Sequence, residues 1–153
     1  MNRLLNIPMI SSYINLTFSL EFGQCNGSMS VDILDDKQRL IFLENVAEKS
    51  LDFNYNIMLP NKIKFNLANK NTNRDTKVDE QGNVIADKYV RLASMSLGGI
   101  PIKPVTLFKI CRYTTNGQMK FDTYWGFNGS AEIDFREDNF IKWHLKSNNL
   151  FDL

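Results

Sequence analysis

One histidine, two cysteines and four prolines are all that 153 residues hold of these types. Each scarcity excludes something. A zinc site draws several His or Cys ligands from close spacing, and His144, Cys25 and Cys111 do not offer it. His144, beside Trp143, is expected to be structural or on the surface. No serine sits in a G-x-S-x-G elbow, and neither a P-loop nor a dinucleotide fingerprint is present. Glu21, Asp32, Glu132 and Asp134 could in form serve as paired carboxylates, but solvated strand faces account for them more simply, so no enzyme is expected. No apolar run approaches the ~20 residues that cross a bilayer. Charge of one sign is also missing: 18 Lys and Arg stand against 17 Asp and Glu, a net of +1, which gives no basic face for nucleic acid. The opening stretch, MNRLLNIPMISSYINLTF, has one Arg and an apolar patch broken by Asn6, Pro8, Ser11 and Ser12. No small-residue cleavage site follows it, so it reads as part of the mature protein rather than a signal peptide. Without a secretion signal, Cys25 and Cys111 are expected as free thiols rather than a bridge.

What the chain does have is alternation. Leu16, Phe18, Leu20 and Phe22 alternate with Thr17, Ser19 and Glu21; Met29, Val31 and Ile33 with Ser30 and Asp32. Leu51, Phe53, Tyr55, Ile57 and Leu59 give the cleanest run, broken at Pro60-Asn61 and resumed by Ile63, Phe65 and Leu67. Asp35-Asp36-Lys37-Gln38 reads as a turn before a strand at 39–43. Further strands are expected at 89–97, 105–113, 119–125, 131–135 and 140–145, with turns at Gly98-Gly99, Asn116-Gly117 and Asn128-Gly129. Helix is expected only at 4–14 and 42–49. A hydrophobic fraction of 43% with 11 Phe supplies a core for one domain spanning 1–153. The expected fold is all-β: an antiparallel β-sandwich, with a jelly roll as the topology and an immunoglobulin-like sandwich as the alternative.

The segment 69–87, NKNTNRDTKVDEQGNVIAD, concentrates side-chain oxygens between two strands. Hard cations such as calcium take about six to eight oxygen ligands. Asn69, Asp75, Asp79 and Asp87 are therefore the candidate metal ligands, set against the plain fact that Asn, Asp and Gly are what surface loops are made of. The spacing is not that of an EF-hand. Tyr124, Trp125 and Phe127 beside Asn128 could form an aromatic patch for a sugar ring, against the alternative that Trp125 and Phe127 are core. Tyr124, Trp125, Asn128 and Asp87 are the candidate ligand-binding residues.

Phe65-Asn66-Leu67-Ala68-Asn69, then Ala86-Asp87-Lys88-Tyr89-Val90-Arg91-Leu92 and Gly98-Gly99-Ile100, resemble a feature of calcium-dependent xylan-binding modules. That resemblance implies a jelly roll and a bound calcium ion, with Asn69 at the first motif position and Asp87 opening the second. Lys70 stands where the family has its first Asp, and Lys88-Tyr89 where it has Arg-Asn. The closing YWGFNGSAEIDF and FIKWHL resemble small β-sandwich proteins of tailed phages, and 18 asparagines fit the bias of AT-rich genomes. The expected function is non-catalytic carbohydrate binding, with calcium as the implied cofactor, as a host-recognition or accessory part of a phage particle. The alternative is a structural virion or assembly protein that binds other protein subunits. Either implies a homo-oligomer or a larger assembly, located in the virion, with no membrane span and no nucleic acid.

Overall fold

A computed structural model describes residues 12–25, 29–59, 61–71, 75–136 and 142–145. The strands, in chain order, are β1 (Ser12–Phe22), β2 (Ser30–Leu34), β3 (Arg39–Glu44), β4 (Ser50–Leu59), β5 (Lys62–Ala68), β6 (Thr76–Val78), β7 (Val84–Asp87), β8 (Val90–Leu97), β9 (Ile100–Pro101), β10 (Arg112–Thr115), β11 (Gln118–Phe121), β12 (Tyr124–Trp125) and β13 (Gly129–Asp134). Among the described residues a helix, α1 (Pro104–Ile110), interrupts them. The first sheet runs β12-β8-β1-β4, with β9 beside β8; the second runs β11-β10-β13-β5-β2-β3; β6 and β7 form a separate hairpin. Every pairing is antiparallel. The expected antiparallel sandwich is what the chain forms.

The alternating residues close the core. Leu16, Phe18, Leu20 and Phe22 of β1 are buried, as are Val31 and Ile33 of β2, Ile57 and Leu59 of β4, and Ile63, Phe65 and Leu67 of β5. Period-two side chains on two facing sheets leave no other place for them. Phe65 joins the layers: its ring meets Phe18 edge-on at 5.5 Å and Trp125 at 4.9 Å. Such rings contribute about 1.5–3 kcal/mol each by burial, with about 0.5–1.5 more per aromatic pair. Strand β8 breaks the alternation with a bulge. Ser19 pairs with Ser94 and Leu20 with Leu92, so Ala93 is left over; the extra residue lets Leu92 and Met95, three apart, both face the core.

Several segments differ from their sequence reading. The stretch 105–113 is mostly helix, not strand. Pro104 supplies a preset first-turn φ, and a helix buries Leu107 and Ile110 while leaving Lys109 in water; a strand would have put Lys109 on the face of Leu107. The helix expected at 42–49 is the end of β3 followed by bends. Residues 142–145 form a helical turn in place of a strand, while 140–141 lie outside the described residues. The same is true of most of the helix expected at 4–14, whose last residues belong to β1. Within 69–87 a hairpin stands where a loop was expected.

Asn116-Gly117 does turn a hairpin, between β10 and β11, with φ of 53° and 75°. Asn128-Gly129 does not. It connects β12 of one sheet to β13 of the other, and Gly129 is needed because a Cβ there would lie 2.1 Å from the Thr114 carbonyl oxygen. His144 is buried, its Nε2 3.1 Å from the Leu97 carbonyl. Cys111 is buried, its thiol pushed up to about 12 by desolvation, Cys25 is partly exposed, and the two form no disulfide.

Candidate functional site

The β6–β7 hairpin is the element that builds a site. Its tip is organised by Asp79, whose Oδ1 accepts from the amides of Gln81 (2.9 Å) and Asn83 (2.8 Å). The Asn83 amide, more than its neighbours, holds the Asp79 carboxyl below its ordinary range. At the base, Asp75 is fully buried and its Oδ2 accepts from the Asn71 amide at 2.8 Å. The Lys88 amide donates to the Asp75 carbonyl at 2.7 Å, which fastens the hairpin to the start of β8.

Asp87 sits where three loops meet. Its Oδ1 accepts from Lys70 Nζ at 2.8 Å and from Thr76 Oγ1 at 2.6 Å. Lys70 Nζ also donates to the Gly126 carbonyl at 2.5 Å and lies 5.2 Å from the centre of the Phe127 ring. The Lys70 side chain is 3% exposed. Asn128 completes the join: its Oδ1 accepts from the Lys70 amide at 2.9 Å, and its Nδ2 donates to the Lys70 carbonyl at 3.1 Å.

This geometry bears on calcium. Among the described residues no three His, Cys, Asp or Glu side chains converge. Asp79 is at the hairpin tip and Asp87 at its base, opposite Thr76, roughly 10 Å apart at strand rise. Asn69 is exposed and donates to Ser30 Oγ at 3.1 Å. Asp87 is taken by an ammonium. The structure does not gather Asp75, Asp79 and Asp87 around one point, and the cation on Asp87 is the Lys70 ammonium.

On the side of the hairpin facing β1 lies an open cleft of about 640 Å³. The end of β1 and the residues after it lend it Glu21 and Gln24, the start of β4 and the residue before it lend Ser50 and Lys49, and the hairpin and its exit lend Val84, Ile85, Asp87 and Tyr89. Tyr89 is half-buried, and Tyr124 packs on it with ring centres 4.7 Å apart and planes 32° off parallel. Burial first, then the charge of Asp87, raises the Tyr124 hydroxyl above its ordinary range. Arg91 pairs with Tyr124 across the strands and reaches Glu21 Oε1 at 2.9 Å. That hydrogen bond holds the Glu21 carboxyl below its usual range. The arrangement combines an aromatic surface, fixed carboxylates and an amide around a cleft open to water.

Of the four ligand-binding candidates, Asp87 lines this cleft; Tyr124 does not line it and reaches it only through Tyr89, on which its ring packs. Asn128 is spent on the Lys70 backbone. Trp125 needs correcting: it is 0% exposed, packed on Phe65, with Nε1 donating to the Asp122 carbonyl at 3.0 Å, so its ring cannot stack on a sugar. Strand alternation decides between the neighbours, since Tyr124 faces out wherever Trp125 faces in. Of the other cleft residues, the sequence reading sets Glu21 aside as a solvated strand carboxylate and does not single out Gln24, Lys49 or Tyr89 as ligand-binding. Tyr89, two residues from Asp87, carried a usable signal; Gln24 and Lys49 carried none, because only the meeting of β1 and β4 joins them to the hairpin.

No family model matches this chain, and no curated protein does. Two solved structures resemble it. One is vCBM60 in selenomethionine form, described under circular permutation as a link between two families of calcium-dependent carbohydrate-binding modules. It is 13% identical, with 79% of this chain and 90% of that chain covered at a TM-score of 0.51. The other is vCBM60 in complex with galactobiose, 14% identical, covering 78% and 97% at a TM-score of 0.49. The likeness is one of fold: a distant, carbohydrate-binding-module-like β-sandwich.

Proposed function

We propose that this chain is a non-catalytic carbohydrate-binding protein and that the saccharide lies in the cleft beside the β6–β7 hairpin. The observation that carries the reading is the Tyr89 ring in the wall of the cleft, held by Tyr124 packed on it at 4.7 Å, with Glu21, Asp87 and Gln24 lining the same cleft. A pyranose ring lays its C–H face on an aromatic ring, and its hydroxyls need fixed acceptors and donors around the rim. Asp87 and Glu21 are fixed acceptors because Lys70 and Arg91 hold them in place. The sandwich fold shared with a carbohydrate-binding module supports the reading. Calcium, on which that neighbour's families depend, has in this chain a competitor at Asp87: an ion there would have to displace the Lys70 ammonium.

An open cleft of this size binds weakly per copy, so recognition of a surface calls for many copies, as on a virion or other assembly. The test is a glycan array probed with a multimerised form, followed by titration of its ligands with Tyr89→Ala and Tyr124→Ala. Both variants should lose binding, while Phe127→Ala, outside the cleft, retains it. A silent array, or hits insensitive to both tyrosines, overturns the proposal. The second reading, a subunit contact, is favoured by the exposed Val105 and Phe108 of α1 beside Met119 and Phe121 of β11. It would show instead as self-association that Phe108→Ser abolishes.

A further inference from the structure

A second pocket, of about 520 Å³, adjoins the cleft and shares Gln24 and Ala86 with it. Its character is different. Among the described residues the charged ones that line it are Lys77 and Lys88, and no carboxylate does. Lys88 is 6% exposed, and its Nζ donates to the Val46 carbonyl at 2.8 Å. An ammonium has three donors, and among the described residues neither Lys88 nor Lys77 forms an ion pair. A buried cation without a counter-ion is costly to keep. Lys70, 18 positions back, shows how this fold settles a buried ammonium when it needs nothing from outside: with Asp87, a carbonyl and a ring.

We propose that this pocket binds the anionic substituent, carboxylate or sulfate ester, of an acidic saccharide whose adjoining ring occupies the cleft. The saccharide part rests on the reading of the cleft given above; the anion part rests on the two lysines alone. Lys88 supplies its two remaining N–H donors from the wall, and Lys77, on the hairpin, adds a second charge at the mouth. Charge-assisted hydrogen bonds of this kind are the strong ones. Gln24 lines both compartments; its Nε2 donates to the Phe22 and Glu48 carbonyls, which leaves its Oε1 to accept from the sugar between them.

Cys25 lines the same pocket and serves as a built-in reporter. Cys111 is buried and its thiol sits at about 12, so alkylation by iodoacetamide, read by mass spectrometry, follows Cys25 alone. The probes are glucuronate, glucose 6-sulfate, glucose and inorganic sulfate. Glucuronate or glucose 6-sulfate should slow the alkylation; glucose should not; inorganic sulfate should act only at higher concentration. Lys88→Met should weaken the protection about tenfold or more, the worth of a charged hydrogen bond. Lys77→Met, at an exposed position, should weaken it less and provides the reading if Lys88→Met does not fold. Protection by glucose equal to that by its sulfate, or protection by no anion, overturns the proposal. Inorganic sulfate acting as well as the sugar sulfate, with Tyr89→Ala without effect on either, overturns the saccharide part and with it the cleft reading. Neutral glycans that bind in a Tyr89-dependent way while acidic ones gain nothing from Lys88 overturn this inference and leave the cleft reading standing.

Discussion

Lys70 and Lys88 flank the same hairpin and meet opposite fates. Both ammonium groups are taken out of water. Lys70 finds a carboxylate, a carbonyl and an aromatic face, and thereby locks the loops at 69–71, 87 and 126–128 together. Lys88 finds one carbonyl, in a pocket with no acid on its wall among the described residues. A buried charge that is fully partnered is architecture; one that is half partnered is poised for something to arrive. The same residue type, 18 positions apart, reads as structure in one place and as a binding group in the other because of what the fold sets opposite it.

The comparison breaks most sharply at Asp87. Asp87→Ala leaves the Lys70 ammonium buried with no counter-ion and should cost about 3 kcal/mol or more in urea unfolding. A loss below about 1 kcal/mol would mean that Lys70 simply swings into water. Lys70→Met comes next: Asp87 keeps Thr76 and some access to solvent, so the expected loss is about 1–2 kcal/mol. Lys88→Met should be the mildest of the three, under about 1 kcal/mol, because one hydrogen bond is lost while a charge is spared burial. If Lys88→Met proved as costly as Asp87→Ala, Lys88 would be a structural strut and the contrast would collapse.

Calcium sharpens the comparison from the other side. A ligand that binds only the folded state stabilises it by RT ln(1 + [L]/Kd). With Lys70 already on Asp87, thermal melts in millimolar calcium and in a chelator should coincide for the native chain. A calcium-dependent rise that survives Asp87→Ala would place the ion away from this hairpin. The smallest effect concerns Glu21. Its carboxyl is held low by the Arg91 hydrogen bond. A depressed folded-state value contributes stability above the unfolded value, near pH 4, and that stability is lost as pH falls through the folded value. Arg91→Ala should return the Glu21 titration, followed by NMR, to the ordinary carboxylate range. The pair is part-exposed, so stability at neutral pH should move by no more than about 1 kcal/mol. An unmoved Glu21 titration would show that Arg91 is not what holds it.

Much of this molecule follows from the sequence alone. Alternation on Leu16 to Phe22, Met29 to Ile33, Leu51 to Leu59 and Ile63 to Leu67 dictates half-buried strands, because a period of two has only one way to hide its apolar half. Asn116-Gly117 dictates its hairpin, because that turn needs two positive φ angles. The hairpin's polar residues were visible as a cluster, and Asp87 was singled out within it. Three things needed tertiary structure. Whether Trp125 or Tyr124 faces the core was settled by β12 pairing with Arg91 and Val90 of β8. The helix at Pro104–Ile110 was settled by burying Leu107 and Ile110 together, which overrode the β-propensity of Val, Thr, Phe and Ile. The site was settled by distance in space: Glu21 and Lys49 meet the hairpin only because β1 and β4 pair along their whole length, and Lys70 meets Asp87 and Gly126 only because three loops gather at one end of the sandwich. Local pattern is written in neighbouring residues and can be read from them. A partner for a buried charge comes from wherever the chain returns, and only the closed fold decides which carboxylate, if any, is waiting there.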